Sequence, residues 1–239
     1  MLMKKTIFLF VLFNLIYNAH AQNQDSSFYA QVDLANRWIW RGVSYSESPV
    51  IQPSLGYAKN KSNFLIWASY PFQPRAYCEV DFTFEYQVLK KLKLGVTDFF
   101  AVNDSLGAKQ KFFNFERETT SHMVDIYFVY TPFKKIPVSF LGSFWLWGAD
   151  RNPITLEQNF STYFELKYDY DFKYFRLSTF AGMTPWKGFY APEAALVNVG
   201  VGLTKLVPIG KSFSIPLKVE FILNPYGQNV YINGIISIK

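Results

Sequence analysis

From Glu79 to Val88 the chain alternates without exception: Glu79, Asp81, Thr83, Glu85 and Gln87 are polar, and Val80, Phe82, Phe84, Tyr86 and Val88 are apolar. Successive side chains of a strand point to opposite faces, so a segment of this kind separates two unlike environments. The pattern recurs. Ser161, Tyr163, Glu165, Lys167 and Asp169 alternate with Phe160, Thr162, Phe164, Leu166 and Tyr168, and Ser214, Lys218 and Glu220 alternate with Phe213, Ile215, Leu217, Val219 and Phe221. Few architectures accommodate so many two-faced strands, and the start of the chain narrows the choice.

Met1 to Ala21 has the three parts of a secretory signal: Lys4 and Lys5, an apolar run from Ile7 to Phe13 continuing to Ile16, and Ala19-His20-Ala21 before Gln22. Cleavage is expected after Ala21, leaving 22–239 as one domain. An N-terminal membrane anchor is the competing reading, but the apolar stretch falls short of the roughly 20 residues that span a bilayer as a helix. The one cysteine, Cys78, has no second cysteine with which to close an internal disulfide, although an exported chain meets conditions that allow one. Half of the chain is hydrophobic and 20% is aromatic, yet after Ala21 no apolar run approaches the length of a membrane helix. If the product is embedded in lipid it must therefore be a closed barrel, the other structure that satisfies every backbone group inside a bilayer.

About twelve strands are predicted, near 28–40, 50–58, 63–70, 79–88, 92–101, 122–131, 137–147, 159–170, 173–183, 195–206, 213–223 and 229–238. Their connections alternate in length. Short ones fall at 59–62, 90–91, 132–136, 171–172 and 208–212; longer ones fall at 41–49, 71–78, 102–121, 148–158 and 184–194, with a brief last one at 224–228. Short turns on one side and long loops on the other is the layout of an outer-membrane barrel with an even strand number. The predicted fold class is thus all-β: a single antiparallel, up-and-down transmembrane barrel.

Trp38 and Trp40 at the end of the first strand, with Tyr57, Tyr86, Tyr168 and Tyr170, suit the interface between hydrocarbon and water. The opposite face carries Asp33, Arg37, Glu79, Asp81, Glu85, Lys93, Asp125, Glu165, Lys167, Asp169, Arg176, Lys218 and Glu220. These thirteen side chains are the candidates for lining a pore. A soluble lipocalin-like barrel inverts the arrangement, with the apolar face inward and the charges in water. The loop 102–121, with Lys109, Lys111, Glu116, Arg117 and Glu118, is long enough to fold inward as a constriction, although a surface loop is the plainer reading.

The stretch Trp38-Ile39-Trp40-Arg41-Gly42-Val43-Ser44, followed by Pro49-Val50-Ile51-Gln52-Pro53-Ser54-Leu55-Gly56-Tyr57, resembles the first hairpin of the TorF family of porins, in which an aromatic strand runs into Arg-Gly-hydrophobic-Ser and a Pro-x-x-Gln segment opens the next. The segment from Phe213 to Lys239 resembles the tail of exported outer-membrane proteins of Bacteroidetes type. The resemblance implies a barrel in the outer membrane of a Gram-negative cell. One feature departs from such barrels, which usually end in an aromatic residue: here the end is Ile236-Ser237-Ile238-Lys239.

Other chemistry finds little support. After signal removal His122 is the one histidine, and a hydrolase would require it beside Ser121, Ser139 or Ser143. Its register puts it instead on the lipid-facing side at a strand start. One histidine, one cysteine and no calcium-type loop assemble no metal site, and no glycine-rich phosphate loop is present. The formal charge of +6 includes Lys4 and Lys5, and the remaining excess is small and interspersed, which disfavours nucleic acid as a partner. The expected function is passive diffusion of small solutes or ions through an outer-membrane channel, without catalysis, metal or cofactor. Its expected partners are membrane lipid, the barrel-assembly machinery and a small polar solute. Two alternatives stand beside it: a non-transporting structural or surface-binding barrel, and a soluble periplasmic ligand-binding barrel.

Overall fold

Alternation of polar and apolar residues needs a sheet with two different faces, and the chain supplies one by closing on itself. The computed structural model describes residues 26–74, 76–103, 110–210 and 213–239. The expected signal segment and its cleavage site lie outside them. The strands are β1 (Ser26–Ala35), β2 (Trp38–Trp40), β3 (Val43–Ser46), β4 (Val50–Lys59), β5 (Ser62–Pro71), β6 (Tyr77–Leu89), β7 (Leu92–Asn103), β8 (His122–Tyr130), β9 (Val138–Gly148), β10 (Thr162–Asp171), β11 (Arg176–Thr184), β12 (Ala195–Ile209), β13 (Phe213–Asn224) and β14 (Asn229–Ile238). No helix occurs among the described residues. Twelve strands form a closed antiparallel barrel in the order β1-β14-β13-β12-β11-β10-β9-β8-β7-β6-β5-β4, and β2 and β3 form a separate hairpin. The seam closes where Val32 to Ala35 pair with Ile238 to Ile235. The fold is the one expected: all-β, a single barrel of twelve antiparallel strands.

Register fixes which side chains meet. Asp81 stands between Trp67 of β5 and Phe99 of β7, and Thr97 is opposite Asp125 of β8, so the polar sets of consecutive strands share the inner face. Thr83 and Thr97 meet there through their hydroxyls at 2.9 Å. The apolar sets share the outer face, where Leu55, Phe84, Leu94, Val96, Leu166, Leu203, Val219, Phe221 and Ile232 are all exposed. Aromatic residues gather toward the ends of this surface. At the short-turn end Phe28 packs on Tyr57 with ring centroids 4.6 Å apart, and Tyr170 meets Phe172 at 4.7 Å. Tyr70, Phe72 and Trp186 are exposed at the long-loop end. Inside, aromatic rings cross onto glycine: a Cβ at Gly182 would lie 2.0 Å from the Tyr163 hydroxyl, so this wall accepts no side chain there.

The structure corrects the sequence reading at the first strand. It was expected to run over 28–40, but β1 ends at Ala35. Asn36 terminates the ladder by accepting a hydrogen bond from the Gly234 amide at 2.7 Å through Oδ1 while its own amide donates to the Gly234 carbonyl at 3.1 Å. Beyond it the chain turns into the barrel as the β2–β3 hairpin. Trp38 and Trp40 are therefore not at the outer interface; both line the interior. The strands expected at 159–170 and 173–183 also start later, at Thr162 and Arg176.

Candidate lumenal site

The β2–β3 hairpin turns at Arg41 and Gly42, whose φ angles are +49° and +77°. Trp40 pairs directly with Val43, giving a two-residue loop with both central residues in the left-handed region, the preference of a type I′ hairpin turn. Only glycine suits the second position. A Cβ on Gly42 would lie 1.9 Å from the Val197 carbonyl oxygen of β12, and Asn224 Nδ2 holds the Gly42 carbonyl at 3.0 Å.

Aromatic packing brings the hairpin inward. Trp38 is buried, stacked on Tyr45 at 4.6 Å and on Tyr77 at 5.6 Å, with Trp67 at 5.4 Å. Trp40 stacks on Trp145 of β9 at 6.0 Å and meets Phe99 edge-on at 5.6 Å. From the turn, Arg41 reaches the β8–β10 wall. Its Nη1 donates to Ser143 Oγ at 2.8 Å and to Tyr190 Oη at 2.6 Å, and its Nη2 is 3.6 Å from Asp125. The guanidinium also lies over the rings of Trp40 and Tyr163, at 4.2 and 4.6 Å. Asp125 in turn accepts from Ser143 Oγ at 2.7 Å and from the Phe144 amide at 2.9 Å. The loop residue Tyr190 completes the cluster. Burial pushes its phenol pKa up, against the pull of Arg41 beside it, so the hydroxyl keeps its proton. The hairpin thus bridges the lumen from β5 and β6 to β12, with a charged tether in the middle.

Around it lies a cavity of about 570 Å³, lined by hairpin and barrel residues together. Of the thirteen charged side chains singled out in the sequence, Arg37, Glu79, Asp81, Asp125, Glu165, Lys167, Lys218 and Glu220 line this cavity. Arg37 reaches it from the bend after β1, not from a strand, and pairs with Glu47 at 3.0 Å. Lys218 pairs with Glu220 at 2.5 Å and Lys167 with Asp169 at 3.1 Å. Glu85 and Lys93 pair at 2.6 Å nearer the short turns, where Tyr127 also donates to Glu85 at 2.8 Å. Asp33 accepts from Gln31 at 2.8 Å. Arg176 sits at the short-turn rim, half-exposed and paired with Asp171 at 2.6 Å, away from the cavity.

Sequence reasoning missed Arg41, Tyr190 and Asn198, which join the lumenal network from a turn, a loop and a strand. Arg41 was visible as part of a motif, but nothing in the motif indicates that its strand breaks at Asn36. Of the segment 102–121 expected as a possible constriction, 102–103 belong to β7 and 110–121 packs on the outer face, where Phe112 meets Phe82 and Phe100. There His122 is buried, with Nδ1 2.8 Å from Asp98 Oδ2 and Nε2 2.6 Å from the Phe112 carbonyl. Phe115 stacks on the ring at 4.8 Å. The outward placement of His122 agrees with its sequence register. Ser143 faces the lumen instead and the Ser121 hydroxyl donates to Gln110, so neither joins His122 in a catalytic arrangement. Among the described residues no group of three or more His, Cys, Asp or Glu is placed to hold a metal ion.

No protein-family model matches the chain, and no curated protein matches it. Among solved structures, the crystal structure of Pseudomonas aeruginosa OccK5 (OpdH) is similar at 12% identity and a TM-score of 0.38, over 90% of this chain and 67% of that one. The barrel described above rests on this chain's own strand pairing.

Proposed function

We propose that the protein is a porin-like channel of the outer membrane that admits small polar solutes, narrowed by the β2–β3 hairpin. One observation carries the reading: a closed barrel whose exposed surface is apolar surrounds a cavity lined by charged side chains. A protein in water gains nothing from an apolar exterior, whereas a bilayer takes that surface out of water against acyl chains, and the closed ladder leaves no unsatisfied edge. Alternating turn lengths and aromatic residues near both ends of the outer surface support the same placement. So does the resemblance of 38–57 to TorF porins, whose Arg-Gly element here forms the tip of the constricting hairpin. The partners on this reading are membrane lipid, the machinery that inserts barrels, and a small polar solute. The reading assigns no catalytic role to His122, both of whose ring nitrogens are engaged in holding a loop.

The hairpin itself favours a second reading, a closed barrel that serves envelope structure or surface binding, because it bridges the lumen through buried contacts. Planar-bilayer recording separates the two. The channel reading expects ion conductance from purified, inserted wild-type protein. A correctly folded, inserted barrel that stays silent even after residues 38–46 are replaced by a short Gly-Ser linker would leave the structural role.

A further inference from the structure

Most lumenal charges find a partner within the barrel; of the carboxylates with no basic one, Asp33 accepts hydrogen bonds from Gln31 and Glu165 from Tyr163 and Asn198, which leaves Glu79 and Asp81. Arg37 is taken by Glu47, Arg41 by Asp125, Lys93 by Glu85, Lys167 by Asp169 and Lys218 by Glu220. Glu79 and Asp81 project side by side from β6 into the cavity, both buried, and among the described residues neither has a basic side chain within ion-pair distance. Glu79 accepts a hydrogen bond from the Tyr77 hydroxyl. Asp81 is 9% exposed; its Oδ1 meets no N–H or hydroxyl donor, and its carboxyl group lies within hydrogen-bond reach of that of Glu79. Two adjacent buried carboxylates are costly unless they share a proton or meet a cation.

Their surroundings indicate which kind of cation. In the barrel register Asp81 is flanked by Trp67 on one side and Phe99 on the other, and Trp38 and Trp40 of the hairpin line the same cavity. Aromatic faces attract cations and also accept apolar stems, whereas a bare metal ion needs several donors, and among the described residues no third His, Cys, Asp or Glu joins the pair to hold one. We propose that Glu79 and Asp81, walled by Trp67 and Phe99, form a binding subsite for an organic cation, an ammonium or guanidinium head carried on an apolar stem. The inference deepens the channel reading and rests on it, since a solute must enter the lumen to reach the subsite. The cation replaces the missing basic partner of the acid pair, and the rings cover its stem.

The test uses the full-length chain, refolded in detergent micelles and checked for barrel formation by heat-modifiable gel mobility. Butylguanidinium is titrated against its uncharged isostere butylurea and against glucose, with tryptophan fluorescence as the readout at constant ionic strength. Saturable binding of butylguanidinium alone is expected. D81N and E79Q should each weaken it at least tenfold, W67L should weaken it as well, and E157Q in the exposed loop after β9 should leave it unchanged. No saturable signal in the folded wild type means that the acid pair holds only a shared proton, and the proposal fails. It fails equally if butylurea or glucose binds as tightly, or if D81N and E79Q bind like the wild type. Bilayer conductance of the same preparations reads the channel function separately: conduction without binding removes the subsite alone, and binding without conduction supports the subsite while removing the channel.

Discussion

Arg41 is the side chain on which the constriction depends. Its partner Asp125 is almost fully buried, and removing one member of a buried ion pair strands the other charge at a cost of roughly 3–5 kcal/mol. R41A is therefore expected to lower barrel stability by that order in urea unfolding from micelles, and to raise single-channel conductance by freeing the hairpin tip. A stable variant with unchanged conductance would mean that the aromatic contacts of Trp38 and Trp40 hold the hairpin unaided. Selectivity should follow pairing, not the mere presence of charge. The double variant E79K/D81K is expected to move the reversal potential toward anions, while E85Q, which removes a carboxylate already matched by Lys93, should shift it much less. His122 offers a contrasting case on the outside of the barrel. Both its ring nitrogens are engaged, one with the Asp98 carboxyl group and one with the Phe112 carbonyl, so the ring ties the 110–121 segment to β7. H122A should release the 110–121 segment, read as faster proteolytic cleavage within it while the barrel core survives.

Among the elements, the β2–β3 hairpin decides how much of the lumen is open. It is a short ribbon that contributes nothing to the barrel ladder and is held by rings, one guanidinium and one close glycine contact. Deleting it should therefore leave the wall intact: replacement of 38–46 by a Gly-Ser linker is expected to raise conductance severalfold with unchanged heat-modifiable mobility. Loss of folding in that variant would instead make the hairpin a structural core. The barrel strands were legible because alternation is a local property, enforced residue by residue wherever one face meets an apolar surface. The hairpin was not, because Arg37-Trp38-Ile39-Trp40-Arg41 sets its two tryptophans between arginines and reads as a natural extension of β1. What ends β1 is Asn36 bonding to Gly234, nearly two hundred residues away. Sequence pattern placed Trp38 and Trp40 at the membrane boundary for the same reason: an aromatic residue at a strand end suits an interface and an inner stack equally well, and only the location of Tyr45, Trp67 and Trp145 separates the two.

At the scale of the whole molecule, an apolar outer wall and a closed ladder predict behaviour rather than a ligand. The protein is expected in the detergent-extracted membrane fraction, running faster on a gel before boiling than after; recovery in the soluble fraction without detergent would refute the membrane placement. The sequence by itself determined the strands, their faces and the alternation of short and long connections, since each follows from neighbours within a few residues. It also singled out the charges on the face opposite the apolar one, although Arg37 comes to the cavity from a bend and Arg176 stays at the short-turn rim. Tertiary structure alone decided that the hairpin after β1 enters the lumen while 110–121, the described part of the loop after β7, packs outside. It alone decided which inward charges are matched and which are left over. Pairing depends on distances across the barrel, set by closure and register between strands far apart in the chain, and no local pattern encodes them.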